Sequence, residues 1–196
     1  YNIISARFLR KMAEEPANFK DGFQGSRVLT IARLSTQKGL DLALPAIAAL
    51  REKGLKFRWY IIGVGPEEES LKEQARSLGI EQNVCFLGEQ ANPYPFLRAC
   101  EVYLQPSRFE GKSIAVDEAM VLCKPILLTD FSTAADQVTS GKNGLIVPMT
   151  PEGIAEGLEK LLTDSALRKE FHNALAAEDF TNENEIEKVY SLLSIE

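Results

Sequence analysis

Six short apolar runs, separated by segments with helical spacing, constrain this chain more than any other feature of its sequence. The runs are Arg27–Ala32 (RVLTIA), Phe57–Ile62 (FRWYII), Asn83–Leu87 (NVCFL), Val102–Gln105, Ile126–Leu128 and Gly144–Val147. They are near-continuously apolar, as strands buried on both faces must be. The segments between them carry helix signals. Gly39–Lys53 has amphipathic spacing and stops at Gly54, Glu67–Leu78 stops at Gly79, and Tyr94–Ala99 follows two prolines. Lys112–Leu122 is halted before Pro125, Ala134–Thr139 is short, and Pro151 opens a helix to Leu162 at the position where its missing N–H costs nothing. Alternation of this kind gives a parallel sheet covered by helices, and crossover handedness makes it a doubly wound, Rossmann-like α/β sheet. Such a sheet binds its ligand at the carboxyl ends of the strands.

Size and charge narrow the possibilities. At 196 residues the chain suits one domain with a proper core. The expected division is a connector at residues 1–22, the sheet domain at 23–180 and an amphipathic helix at 181–196. Both ends lack a strand of their own and read as links to a neighbouring domain. The net charge of −6 argues against a nucleic-acid partner, but not against one small phosphate ligand. No apolar run approaches the ~20 residues of a membrane span. Cys85, Cys100 and Cys123 stand singly, without metal-ligand spacing, and read as reduced, buried thiols of a cytoplasmic protein. No metal is implied.

Four constellations fall just after expected strands. In Ala32–Gly39 (ARLSTQKG), Arg33 and Lys38 stand five residues apart before a helix, where two cations and free N–H groups could grip a diphosphate. Solvated loop charges would look the same. Gly63-Val64-Gly65-Pro66 allows a close backbone approach or a plain tight turn. It lacks the third glycine of the dinucleotide fingerprint, which speaks against a dehydrogenase. Pro106–Ser113 (PSRFEGKS) joins Glu110, Gly111, Lys112 and Ser113 at a helix start, with Glu118 farther along an otherwise apolar helix. A carboxylate there needs a partner to offset its burial. Thr129-Asp130 and Ser132–Asp136 form a polar loop that reads mainly as a turn.

In this order and at these intervals, ARLSTQKG, IIGVGPEEESL, NVCFLG, PSRFEG, the Glu110/Glu118 E-x7-E pair and NGLIVP resemble the C-terminal, nucleotide-sugar-binding domain of GT-B family 4 retaining glycosyltransferases. The EGKSIAVDEA version looks like bacterial enzymes of capsule and surface-polysaccharide synthesis. The resemblance implies a UDP-sugar donor and no cofactor. Arg33 and Lys38 would hold its diphosphate with the helix start at Gly111, Lys112 and Ser113. Glu110 would hold sugar hydroxyls and Glu118 the ribose. Phe86, Leu87 and Gly88 would meet the base, with Gly63 and Gly65 leaving it space. It further implies a glycan or lipid-linked acceptor, bound by an N-terminal domain outside this chain, and peripheral attachment to the inner membrane in the longer protein. The fragment alone is expected to be inactive. Two positions depart from the family pattern: Lys112 follows the E-G pair, and Ala135–Val138 replaces P-E-I. The competing readings are a GT-B-type sugar epimerase and a non-catalytic Rossmann-like binding module.

Overall fold

The computed structural model describes residues 5–19 and 21–178. Six parallel strands form one sheet: β1 (Ser26–Ile31), β2 (Phe57–Ile62), β3 (Val84–Gly88), β4 (Val102–Gln105), β5 (Ile126–Thr129) and β6 (Gly144–Val147). Their spatial order is β3-β2-β1-β4-β5-β6. After β3 the chain returns across the sheet to set β4 beside β1. The switch in winding direction therefore lies between β1 and β4, where a doubly wound sheet opens its ligand crevice.

The helices are α1 (Ala6–Met12), α2 (Leu40–Glu52), α3 (Glu68–Ser77), α4 (Tyr94–Ala99), α5 (Ile114–Val121), α6 (Ala134–Gln137), α7 (Pro151–Thr163) and α8 (Ser165–Ala176). Alternate strand residues feed two cores because successive side chains point to opposite faces. Val28, Trp59, Ile61, Leu104 and Leu127 pack with Leu44, Ile47, Leu71, Ile154 and Leu158 of α2, α3 and α7. Leu29, Tyr60, Ile62, Tyr103 and Leu128 pack with Phe96, Val116, Met120 and Leu175 of α4, α5 and α8. A polar pair at the first core is satisfied: Trp59 Nε1 donates to Thr30 Oγ1, which donates to the Leu104 carbonyl.

The strands lie within a residue or two of their expected positions, and the differences fall at helices. Helix α5 starts at Ile114 rather than Lys112, because Ser113 is still extended (φ −85°, ψ 112°). Helix α8 has no counterpart among the expected elements. Asp164 caps it by accepting from the Leu167 N–H, and Phe171 and Leu175 recur at helical spacing on its buried face. Helix α1 is likewise unanticipated. Leu9 buries it against Val121, and beyond it Phe19 packs on Tyr60 with ring centroids 4.6 Å apart. Asp21 accepts from Arg58 at 2.9 Å and from the Tyr60 hydroxyl, so this segment is fastened to the sheet domain. Of the three thiols only Cys100 is buried, and Cys85 and Cys123 are half-buried. The expected helix over 181–196 lies outside the described residues.

Candidate functional site

All four constellations reach one end of the sheet, because parallel strands share a single carboxyl edge. The loops there are laced together by hydrogen bonds. Gly63 N–H donates to the Gly88 carbonyl (2.8 Å), Leu34 N–H to Val64 (3.0 Å) and Arg108 N–H to Gln37 (2.8 Å). From the β5 side, Thr129 Oγ1 donates to the Ser107 carbonyl (2.6 Å) and Thr133 Oγ1 to the Glu110 carbonyl (2.9 Å). The Thr129–Asp136 loop therefore acts on the site as a brace, in keeping with its reading as a turn.

Close approach explains the glycines of this edge. A Cβ on Gly63 would stand 2.0 Å from the Ala32 carbonyl oxygen, and one on Gly65 2.2 Å from that of Leu34. The contact that demands them is with neighbouring backbone. Gly39 opens α2 at φ 61°, where a Cβ would meet the Pro106 carbonyl oxygen at 2.0 Å. Gly111 and Gly88 face open space.

Lys38 and Glu110 come from loops 72 residues apart and form an ion pair at 2.6 Å. The same carboxylate oxygen accepts from Gln105 Nε2 (2.7 Å) and Ser107 Oγ (2.7 Å). The Glu110 side chain is only 6% exposed and that of Lys38 20%, so the pair is largely shielded from water. Arg33 is exposed and makes no hydrogen bond or ion pair with any described residue. Among the described residues it is an unpaired cation, placed directly after β1.

Five residues with no role assigned from the sequence hold this arrangement. Arg108 forms a bidentate pair with Asp41 at the start of α2 (2.7 Å for each bond) and also donates to the Thr36 carbonyl (2.7 Å). Arg108 beside Asp41 keeps that carboxyl below the usual range even though burial opposes it. Gln105 and Ser107 fix Glu110, and Gln137 holds the peptide that starts α5. Their signal in the sequence is slight: an acid in the first turn of α2 and an arginine inside PSRFEG.

Glu118 lies on α5 and accepts from the Tyr94 hydroxyl at 2.9 Å. Burial pushes its carboxyl above the ordinary value of 4.5; the Tyr94 bond lowers it and Asp117 adds to the rise. The Tyr94 hydroxyl is pushed up to about 12, first by burial and then by Glu118. Lys112 is exposed and pairs with Asp117 at 3.0 Å. Phe86, Leu87 and Gly88 end β3, with the Lys72 ammonium 5.9 Å from the Phe86 ring centroid. The edge thus combines a free arginine, a fixed lysine, an open helix start and two partly buried carboxylates. Such a set suits a ligand with both anionic and hydroxyl groups.

Residues 16–177 match the family glycosyl transferases group 1. The chain belongs to this family. It is 29% identical over 175 residues to the Campylobacter jejuni N-acetylgalactosamine-N,N'-diacetylbacillosaminyl-diphospho-undecaprenol 4-alpha-N-acetylgalactosaminyltransferase, covering 88% of this chain and 46% of that protein. The chain spans about half, or less, of the length of the curated relatives it matches first. Among solved structures, Anabaena HepE superposes with a TM-score of 0.84 at 21% identity, covering 99% of this chain and 56% of that one. The separately crystallised C-terminal domain of a Francisella tularensis group 1 glycosyl transferase, LpcC, superposes with a TM-score of 0.76 at 19% identity. That match covers 92% of this chain and all of the other. These likenesses bear out the expected fold and family.

Proposed function

We propose that this chain is the donor-binding half of a metal-independent, retaining glycosyltransferase that takes its sugar from a nucleotide-sugar, with UDP as the nucleotide. The observation that carries the reading is the fixed Lys38–Glu110 pair at the switch point of the sheet, with Lys38 on the same loop as Arg33, which has no partner among the described residues. Arg33, Lys38 and the helix start at Gly111, Lys112 and Ser113 hold the diphosphate. Glu110 turns its other carboxylate oxygen to sugar hydroxyls. Glu118 meets the ribose, and Phe86 to Gly88 meet the base beside Gly63 and Gly65. The Anabaena HepE structure is a complex with UDP, which supports the choice of nucleotide.

In the reaction the bond between the anomeric carbon and the β-phosphate oxygen breaks, and its electron pair stays on the phosphate. The acceptor hydroxyl oxygen bonds to the anomeric carbon from the same face and gives its proton to the departing phosphate. Negative charge grows on the diphosphate as this proceeds. Cations already in place lower the barrier because they need not reorganise. The acceptor, a glycan or a lipid-linked sugar, binds on an N-terminal domain of the longer protein. The longer protein works in the cytoplasm at the inner face of the membrane.

Titration of this chain with UDP, GDP and ADP tests the donor assignment. UDP is expected to bind saturably, and both Arg33→Ala and Lys38→Ala to weaken it at least tenfold. Binding that survives both substitutions would place the nucleotide elsewhere.

A further inference from the structure

We propose that Gln137 is a positioning residue of the donor site, an inference that rests on the donor-binding reading above. Its side chain is almost wholly inside the protein (the residue is 8% exposed), and every hydrogen-bonding group of its amide is used. Oε1 accepts from the Ser113 N–H at 3.0 Å. The two protons on Nε2 go to the Ser113 carbonyl at 2.8 Å and to Asp117 Oδ1 at 2.7 Å. One side chain from α6 therefore grips the peptide at the start of α5 from both sides and ties down an acid in the first turn.

This grip replaces the usual device. A serine at the N-cap ordinarily turns its hydroxyl onto the N–H groups of its own helix and so stabilises it. Ser113 occupies that position and makes no such bond. The backbone N–H groups of Ile114, Ala115 and Val116 have no acceptor among the described residues. With Gln137 fixing the peptide, the helix start is rigid while its first donors and the serine hydroxyl stay uncommitted. Those donors face a ligand that carries several anionic oxygens, which here is the diphosphate. Gln137 also sets the charge beside them. The Asp117 carboxylate has one oxygen on Gln137 and the other on Lys112, so it is turned away from the helix N–H groups it would otherwise cap. A glutamate at 137 would keep the acceptor for Ser113 N–H but set a carboxylate against Asp117 and against the Ser113 carbonyl. Changing Asp117→Asn at the same time restores a donor across that contact and keeps the total charge.

The experiment measures UDP affinity of the 196-residue chain by calorimetry for the wild type, Gln137→Glu and the double variant Gln137→Glu/Asp117→Asn. Ile154→Ala, a core change on the opposite face of the sheet, serves as the control for general destabilisation. Amide hydrogen exchange at Ser113 and Asp117 is followed in parallel without nucleotide. The expected result is a loss of tenfold or more in UDP affinity for Gln137→Glu, recovery to within about threefold in the double variant, and no comparable loss for Ile154→Ala. Exchange of the Ser113 and Asp117 amides, the two that are bonded at this helix start, should rise in Gln137→Glu alone. Wild-type-like UDP binding by Gln137→Glu overturns the role of Gln137 and leaves the donor reading intact. An equal loss in the control also overturns it, since the effect would then be one of stability. Failure of the wild type to bind UDP, GDP or ADP overturns the donor reading and the role of Gln137 with it.

Discussion

Glu118 shows most directly what a carboxylate inside the fold costs. Its carboxyl is buried beside Asp117, and the Tyr94 hydroxyl is the hydrogen-bond donor it meets. Its folded-state pKa is raised, so the folded protein holds the proton more tightly than the unfolded chain does. The stability this gives is fully present below the unfolded value of about 4.5 and is lost as pH rises through the folded value. At neutral pH the ionised carboxylate is therefore a cost. Glu118→Gln keeps an acceptor for Tyr94 and removes the charge. It should raise Tm at pH 7 by roughly 2–4 °C, the shift that ~1 kcal/mol produces in a domain of this size. The gain should fade toward zero below pH 4, and thermal melts across pH 3.5–8 measure it. A constant gain at all pH values would trace the effect to packing rather than to the charge. The same variant should weaken nucleotide binding if Glu118 meets the ribose, because an amide accepts hydroxyl protons less strongly than a carboxylate.

Helix α5 is the element on which the site depends, and its two ends are finished differently. Its start is held from outside by Gln137. Its end is a Schellman motif: Lys124 N–H bonds to the Ala119 carbonyl and Cys123 N–H to that of Met120, both at 2.9 Å. The residue bent into the left-handed region is Cys123, at φ 53°, and it is the only non-glycine residue at positive φ among those described. A side chain there costs ~1–2 kcal/mol, and glycine gives back ~0.5–1 kcal/mol through the freer unfolded chain. Cys123→Gly should therefore stabilise the domain by a net ~0.5–1 kcal/mol in urea unfolding, with the slope unchanged. A loss of stability would mean that the half-buried thiol packs more strongly than the backbone is strained. The helix was legible in the sequence, because its apolar run is interrupted only by Asp117 and Glu118 and stops before Pro125. Its start was read two residues early, since nothing local distinguishes an extended Lys112–Ser113 from a first helical turn.

At the scale of the whole molecule, the fold brings Lys38 of one loop against the Glu110 carboxylate of another at the carboxyl edge of the sheet. The chain spans about half the length of these relatives, and the proposed function assigns the acceptor to an N-terminal domain outside it. The expected behaviour of the chain alone is nucleotide binding without sugar transfer. Incubation with UDP-sugars and a panel of glycan and lipid-linked acceptors should yield no glycosylated product, while calorimetry on the same sample shows binding. Any turnover by the isolated chain would show that the acceptor site is built here.

The sequence by itself determined the class of fold and the edge that carries the site. Two-sided burial is written into runs such as FRWYII, where Trp59 and Ile61 enter one core and Tyr60 and Ile62 the other. Helices between such runs leave only a parallel sheet, and a parallel sheet puts every loop that follows a strand at the same end. Arg33, Lys38, Glu110 and Ser113 could therefore be assigned to one edge before any strand was paired with another. Tertiary structure alone decided which of them touch. Lys38 meets Glu110 because β4 returns to lie beside β1, and Gln137 reaches Ser113 because the β5 loop folds over the start of α5. Local periodicity reports the face a side chain occupies and says nothing of its partner. The choice of partner comes from strand order and close packing, which are properties of the assembled chain.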